Sequence, residues 1–150
     1  MCDPRRTIRP YSNDDLDDVL DAWYLASQQA HPFLDEDFFD TERTLISDQF
    51  LPASETWVFE IHGRIVGSIS LLDNEVGGIF VTPAHQNQGI GRALMDHVAA
   101  TRPHLELEVF EANAIGRRFY DAYGFLPVSG GFDETTGQPM IRLRIESAAS

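Results

Sequence analysis

The sequence GIFVTPAHQNQGIGR, residues 78–92, joins a short apolar run to the start of an amphipathic helix. The run 79–81 favours a β-strand, and Pro83 ends it because proline has no backbone N–H to donate to a sheet. A polar loop with two glycines follows. Apolar residues then recur at the spacing of one helix face, at Ile90, Leu94 and Val98. Free backbone N–H groups and the positive end of the helix dipole meet at such a loop, so the stretch predicts an anion-binding site.

The glycine spacing excludes the two commonest phosphate-binding motifs. A Walker loop requires a lysine after its last glycine, and the sequence contains no lysine. A dinucleotide-binding fingerprint requires a third glycine three residues after Gly91, where Leu94 stands. Arg92, in the first helical turn, offers a planar guanidinium suited to phosphate oxygens. The remaining possibilities are a different class of anion-binding loop or a strand-to-helix turn without a ligand.

A second patterned segment follows at residues 105–125. The run 105–110 favours a strand. Because a helix separates it from the first strand, the two are predicted to be parallel neighbours in a βαβ unit. Asn113 is a good N-cap for a further helix, which carries Phe-Tyr at 119–120 and ends at Gly124.

Both segments resemble one known family. Residues 86–91, Q-x-x-G-x-G, resemble the R/Q-x-x-G-x-G/A acetyl-CoA signature of the GNAT superfamily of N-acetyltransferases. The segment 107–125 resembles that family's pattern of strand, asparagine at the helix start, Phe-Tyr pair and Gly-Phe ending. The two matches cover about half the chain, and residues 30–34 resemble a subgroup of small bacterial members, the YjaB-like proteins.

The resemblance implies an α+β GNAT fold, with a mixed sheet of six or seven strands and a central parallel βαβ unit flanked by helices. It implies acetyl-CoA, or CoA, as co-substrate, with the pantetheine arm beside the strand 79–81 like an added strand. The diphosphate would lie on the amides of 86–91, and the backbone N–H of Val81, or one near it, would stabilise the oxyanion. The residues implied in cofactor binding are Ile79, Phe80, Val81, Gln86, Asn87, Gln88, Gly89, Ile90, Gly91, Arg92, Asn113 and Tyr120.

Three side chains are candidates for the chemistry. The resemblance implies Tyr120 as the acid that protonates the departing CoA sulfur; the alternative is a packed tyrosine with its hydroxyl on the backbone. Glu108 lies on the strand beside the cofactor-bearing one and is a candidate base, although a solvated strand face explains it equally well. His31 is the other candidate base or acceptor contact, against a capping or packing role.

The composition limits the partners. The formal net charge is −13 and all 11 basic residues are arginine, so the chain is expected to repel nucleic acid. A cationic acceptor, such as a polyamine or a basic peptide, suits this negative charge. Solubility alone, or adaptation to salt, would explain the same charge. No apolar run is long enough to span a membrane and no signal-peptide core is present, which predicts a cytoplasmic protein. Cys2 is the single cysteine, so neither an internal disulfide nor a metal site is expected.

The rest of the chain predicts one domain, 1–150. A capping box at 12–15 opens a helix that runs to about Ser27. A second, less regular helix is expected at 35–50, and residues 51–54 are interpreted as a helix breaker. Hairpin turns are predicted at 62–64 and at Asp73-Asn74.

These features predict an acetyl-CoA-dependent N-acetyltransferase that acetylates an amine of a small molecule or peptide. Direct attack in a ternary complex is expected, because no cysteine is available at the site. The first alternative is a non-catalytic acyl-CoA-binding protein of the same fold. A nucleotide-binding oxidoreductase is a distant third, because the third glycine is missing. A monomer and a homodimer are both compatible with the sequence.

Overall fold

A seven-stranded mixed sheet organises residues 5–146, the part of the 150-residue chain that the computed structural model describes. The strands are β1 Arg6–Pro10, β2 Glu55–Ile61, β3 Arg64–Leu72, β4 Glu75–Val81, β5 His104–Phe110, β6 Leu126–Phe132 and β7 Pro139–Glu146. The helices are α1 Leu16–Ala30, α2 Glu36–Leu45, α3 Leu51–Ala53, α4 Ile90–Ala99 and α5 Ala114–Tyr123. The predicted α+β class is confirmed, with the larger of the two expected strand numbers. Cys2 lies outside the described residues.

The sheet order is β1-β2-β3-β4-β5-β7-β6. Strands β1 to β4 form an antiparallel meander whose hairpins turn where the sequence predicted. His62 and Gly63 have φ values of 51° and 81°, and both positive angles suit the tight turns that match the twist of paired strands. Asp73, with φ of 55°, turns the chain between β3 and β4.

The two halves of the sheet meet at β4 and β5, and there they hardly pair. The strands are parallel, as predicted, but Glu75 opposite Glu106 is their one ladder pair within residues 5–146. The N–H of Glu106 also donates to the carbonyl of Asn74 at 3.0 Å. Beyond this point the strands separate toward their carboxyl ends, which leaves a gap in the middle of the sheet.

Each face of the sheet carries its own apolar core. Helices α4 and α5 cover one face, where fully buried side chains include Ile69, Leu71, Leu94, Met95, Leu105 and Leu107. Helices α1 and α3 cover the other face of the meander, with a smaller cluster made by Val19, Leu51, Val58 and Ile65. Burial of large aliphatic side chains on both faces holds the strands on either side of the gap in place.

The helical segments differ in part from the prediction. The capping box is present, since the N–H of Ser12 donates to Asp15 Oδ2 at 2.9 Å, but α1 continues to Ala30. The helical region does end within the predicted breaker 51–54, but only at Ser54, because residues 51–53 are still helical. After α2, a π-helical turn at Ile46–Phe50 leads directly into α3. Proline is tolerated there because it stands in the first turn of a helix, where its missing N–H needs no partner.

Candidate active site

A cleft of about 1050 Å³ passes through the gap between β4 and β5. The pocket is at the upper end of the size range of ligand sites in proteins, which is about 300–1,000 Å³. It reaches from α1 and α2 on one side to the start of α4 and to α5 on the other. The predicted site residues that line it are His31, Ile79, Phe80, Val81, Gln86, Asn87, Gly89, Ile90, Gly91, Arg92, Glu108, Asn113 and Tyr120. Gln88 is the exception: it does not line the cleft, and its amide lies 3.5 Å from the carbonyl of Ala84.

The backbone of β4 presents N–H groups to the gap. In an antiparallel ladder, opposite residues alternate between pairs that exchange hydrogen bonds and pairs that do not. The N–H of Thr82 donates to the carbonyl of Val66 at 2.9 Å, so the neighbouring pair, Val81 opposite Gly67, is of the second kind. The N–H groups of Val81 and of Ile79 therefore point away from β3 toward the gap. An extended ligand in the gap could bind to them as a further strand does.

The loop before α4 has the local geometry of an anion-binding site. Gly89 is the N-cap of α4 with φ of 82°, and Asn87 also has a positive φ, of 64°. The first intrahelical bond runs from the N–H of Ala93 to Gly89, so the N–H groups of Gly91 and Arg92 have no partner in the helix. No atom would come within 4 Å of a Cβ at Gly89, which leaves room for a ligand above the loop.

The side chain of Gln86 stabilises the loop. Its Nε2 donates to the carbonyl of Val81 at 3.0 Å, so the side chain closes the turn between β4 and α4. The motif glutamine thus fixes the loop's shape through its side chain.

Contacts between α4 and α5 place Tyr120. A Cβ at Gly91 would lie 3.1 Å from Phe119 Cε1, so glycine at this position lets the two helices approach. The guanidinium of Arg92 lies 5.2 Å from the ring centre of Tyr123, and the hydroxyl of Tyr123 donates to Asp96 at 2.6 Å. The sequence prediction missed Tyr123, although its spacing of three from Tyr120 puts both on one helix face.

The hydroxyl of Tyr120 is unengaged. Its ring packs against those of Phe119 and Phe125, with centroid distances of 5.5 and 5.7 Å. Within residues 5–146 the hydroxyl forms no hydrogen bond to backbone or side chain. Burial raises the pKa of Tyr120 above its usual value of 10. The phenol therefore stays protonated at neutral pH and can donate to a ligand in the cleft.

Glu108 lies at the rim of the cleft in an ion pair. Its side chain is 50% exposed, and Arg142 Nη1 donates to Glu108 Oε1 at 3.2 Å. The same guanidinium binds Glu75 at 2.8 Å and Glu106 at 2.9 Å, at the closed end of the gap. The sequence argument favoured a partly buried carboxylate as the base, and Glu108 does not have that environment.

His31 is held by Asn113 across the cleft. The N–H of Gly116 donates to Asn113 Oδ1 at 2.8 Å, which confirms Asn113 as the N-cap of α5. Asn113 Nδ2 consequently faces His31 Nε2, at 3.2 Å. Because an amide nitrogen only donates, Nε2 is the acceptor and the proton of the neutral ring is on Nδ1. Burial lowers the pKa of His31 to about 4, so the ring is neutral at pH 7 and its basic nitrogen is already occupied.

The part of the cleft nearest α1 and α2 is aromatic and was not predicted from the sequence. The rings that line it are those of Trp23, Phe38, Phe39, Phe50 and Phe80. Phe50, from the π-helical turn, lies against Gly77 of β4, where any larger residue would collide with the ring. One carboxylate, Glu42 of α2, lies among these rings.

Two further observations concern what the described residues lack. None of the helices between Arg5 and Glu146 is long and apolar enough to cross a membrane. Over the same range, no three or more His, Cys, Asp or Glu side chains come together as a metal site would require.

The family model of the acetyltransferase (GNAT) family matches residues 15–125. The chain therefore belongs to the GNAT family, and it is an N-acetyltransferase. Peptidyl-lysine N-acetyltransferase YiaC of Escherichia coli K12 is 32% identical to it over 133 residues, 88% of this chain and 91% of YiaC.

Solved structures agree with this fold. The solution structure of apo YjaB from Escherichia coli has a TM-score of 0.84 and 24% identity, covering 95% of this chain and 99% of YjaB. PaiA N-acetyltransferase from Thermoplasma acidophilum, solved with coenzyme A, has a TM-score of 0.74 and 14% identity, covering 91% and 97%. The predicted resemblance to the GNAT superfamily and its YjaB-like members is confirmed.

Proposed function

We propose that this protein transfers the acetyl group of acetyl-CoA to the ε-amine of lysine side chains in proteins or peptides. The observation that carries the proposal is the gap between β4 and β5, with the free N–H groups of Ile79 and Val81 along it and the unpaired hydroxyl of Tyr120 beside it. The loop at Gly89 and the start of α4 supply donors for the diphosphate at the other end of the same cleft.

The proposed reaction is a direct attack within a ternary complex. The amine nitrogen attacks the thioester carbonyl carbon, and the N–H of Val81 donates to the oxygen that becomes negative. One such donor in a dry site contributes about 3 kcal/mol to transition-state stabilisation. The carbon–sulfur bond then breaks, Tyr120 gives its proton to the thiolate, and the proton that the nitrogen loses returns to the Tyr120 phenolate. An acetyl-cysteine intermediate is not part of this scheme, because residues 5–146 contain no cysteine.

Three observations favour lysine as the acceptor. YiaC, which shares 32% of its residues with this chain, is a peptidyl-lysine N-acetyltransferase. The aromatic part of the cleft suits the four methylene groups of a lysine side chain. The net charge of −13 attracts a cationic segment. A free polyamine would share both the methylene groups and the positive charge, so the similarity to YiaC is what favours lysine over a polyamine.

A matched set of acceptors tests the proposal. CoA release is followed with a thiol reagent for an N-terminally blocked peptide with one lysine, the same peptide with arginine in its place, an unblocked arginine peptide, and spermidine. We expect turnover with the lysine peptide alone, and acetyl-lysine by mass spectrometry. Binding of acetyl-CoA without turnover on any of these amines would favour the non-catalytic alternative. Turnover on spermidine alone would assign a small-molecule acceptor.

A further inference from the structure

Two carboxylates line the cleft within residues 5–146, and their surroundings differ. Glu108 is half exposed at the rim and is paired with Arg142, which it shares with Glu75 and Glu106. Glu42 forms no hydrogen bond or ion pair through its side chain with any described residue. A partly buried carboxylate without a partner is unfavourable, because burial removes hydrating water and nothing in the protein replaces it.

The helix that carries Glu42 points it into the aromatic part of the cleft. Phe38 and Phe39 precede it by four and three residues and Leu45 follows by three, so all share one face of α2. All four of these side chains line the cleft. Burial, and the negative charge of Asp133 in the loop between β6 and β7, raise the pKa of Glu42. The carboxylate thus lies on the cleft-lining face of α2 that also carries Phe38 and Phe39, with another negative charge near it.

The nearest cation in sequence does not neutralise Glu42. The guanidinium of Arg43 lies instead against α1, 5.0 Å from the ring centre of Tyr24 and 5.7 Å from that of Trp23. The two cations that do line the cleft are engaged or placed elsewhere. Arg92 stacks on Tyr123 at the start of α4, and Arg118 is on α5. A cationic ligand is therefore the partner that this carboxylate lacks.

We infer that Glu42 binds the ammonium group of the acceptor lysine and accepts its first proton. This inference rests on the proposed function and names the acceptor-binding residue of that same site. The ammonium nitrogen loses one proton to the Glu42 carboxylate, which becomes a neutral carboxylic acid. The resulting free amine then attacks the thioester carbon, Tyr120 protonates the departing sulfur, and the second proton of the nitrogen returns to the Tyr120 phenolate. Glu42 returns its proton to solvent after the product leaves.

The test compares Glu42→Gln with Asp40→Asn. Both substitutions remove one negative charge from α2 and keep the side-chain shape, but Asp40 is exposed and does not line the cleft. Two quantities are measured on each protein: kcat and KM for the lysine peptide, and binding of that peptide to the CoA-loaded protein by calorimetry. For Glu42→Gln we expect kcat/KM and peptide affinity to fall by about 30-fold or more. The KM for acetyl-CoA should stay within about twofold, and Asp40→Asn should match the parent.

The outcomes separate this inference from the proposed function. A parent enzyme that binds the peptide without turning over refutes the proposed reaction, while the loss of peptide binding in Glu42→Gln still decides the role of Glu42. Turnover and binding in Glu42→Gln equal to those of the parent refute the inference and leave the reaction intact. A parent that neither binds nor acetylates the lysine peptide refutes both. Thermal unfolding of both variants checks that each is folded.

Discussion

Asn113 shows how one side chain can serve both the fold and the site. Its oxygen caps α5 through Gly116, and this bond fixes the direction of the amide nitrogen, which then determines the tautomer of His31. In the GNAT resemblance Asn113 was expected to contact the pantetheine arm. Nδ2 carries two N–H groups, so one can donate to His31 Nε2 while the other remains available to a ligand in the gap.

The pKa of His31 makes a stability prediction. The folded-state value of about 4 lies below the unperturbed 6.5, so between these pH values the unfolded chain binds a proton that the folded chain does not. The free energy of unfolding should therefore fall as pH drops through this window and be unaffected above it. We expect the parent to lose about 3 kcal/mol more than His31→Gln across the window, measured by urea unfolding. His62→Asn, in an exposed turn, should retain the parent's pH dependence, and parallel curves for parent and His31→Gln would contradict the assignment.

The free hydroxyl of Tyr120 makes a kinetic prediction. Tyr120→Phe keeps the ring contacts with Phe119 and Phe125 but removes the proton donor. We expect kcat to fall about 100-fold while the Kd for acetyl-CoA changes by less than about twofold, as for the loss of a general acid. Tyr24→Phe is the control, since its hydroxyl bonds Glu36 on the exposed surface outside the cleft. An unchanged kcat in Tyr120→Phe would remove this residue from the mechanism.

At this scale the sequence located the motif residues but not their surroundings. Gly89, Asn113 and Tyr120 could be found because each belongs to a local pattern of strand, cap or helix. Glu42 could not, because its position in the cleft depends on how α2 packs against α1 and on Asp133, far away in the chain. The ion pair of Glu108 with Arg142 depends likewise on a pairing between β5 and β7.

Among the elements, the β4–loop–α4 unit has the clearest pattern in the sequence. A substitution at Gly89 tests its function most directly. Gly89 and Gly63 have φ values of 82° and 81°, and neither has an atom within 4 Å of an added Cβ. Aspartate at either position therefore meets the same backbone strain, about 1 kcal/mol. Only at 89 does it place a negative charge where the loop amides would hold a diphosphate.

We expect Gly89→Asp to weaken CoA binding by at least about 100-fold in calorimetry, since like charge and bulk both oppose the ligand. Gly63→Asp should bind CoA like the parent and unfold at about the same temperature as Gly89→Asp. Tight CoA binding by Gly89→Asp would refute the position of the diphosphate on this loop. Equal loss of binding in both variants would mean that strain alone explains it.

The sequence predicted the elements well where one or two residues determine a turn, and poorly where side-chain packing between distant segments determines the structure. Gly63 and Asp73 mark turns through their own conformations, so both hairpins were found. The helical turn at 51–53 was missed because proline alone suggests a break, whereas burial of Leu51, 6% exposed, against the sheet holds the turn in place. The parallel direction of β4 and β5 could be predicted because a helix connects them in the chain. Their separation after a single ladder pair could not, because no local sequence pattern indicates it.

For the molecule as a whole, the net charge of −13 predicts a salt effect on catalysis. Long-range attraction should raise the encounter rate with a cationic peptide, and added salt screens it. Between about 20 mM and 500 mM NaCl, we expect kcat/KM for a lysine peptide flanked by arginines to fall about 10-fold. The same peptide with flanking glycines is the control and should change by less than about twofold. Equal salt dependence of the two peptides would show that the acidic surface serves solubility or salt tolerance and not substrate attraction.

The separation of β4 from β5 also determines how the two half-sheets can move. One half is β1 to β4, the other is β5, β7 and β6, and across the described residues they share a single ladder pair at Glu75 and Glu106. A small rotation about that pair would change the width of the opening without breaking another interstrand hydrogen bond. The apolar core beneath α4 spans both halves, with Ile69 from one and Leu105 and Leu107 from the other, and it opposes such a rotation. The width of the opening is therefore set by side-chain packing and not by interstrand hydrogen bonds.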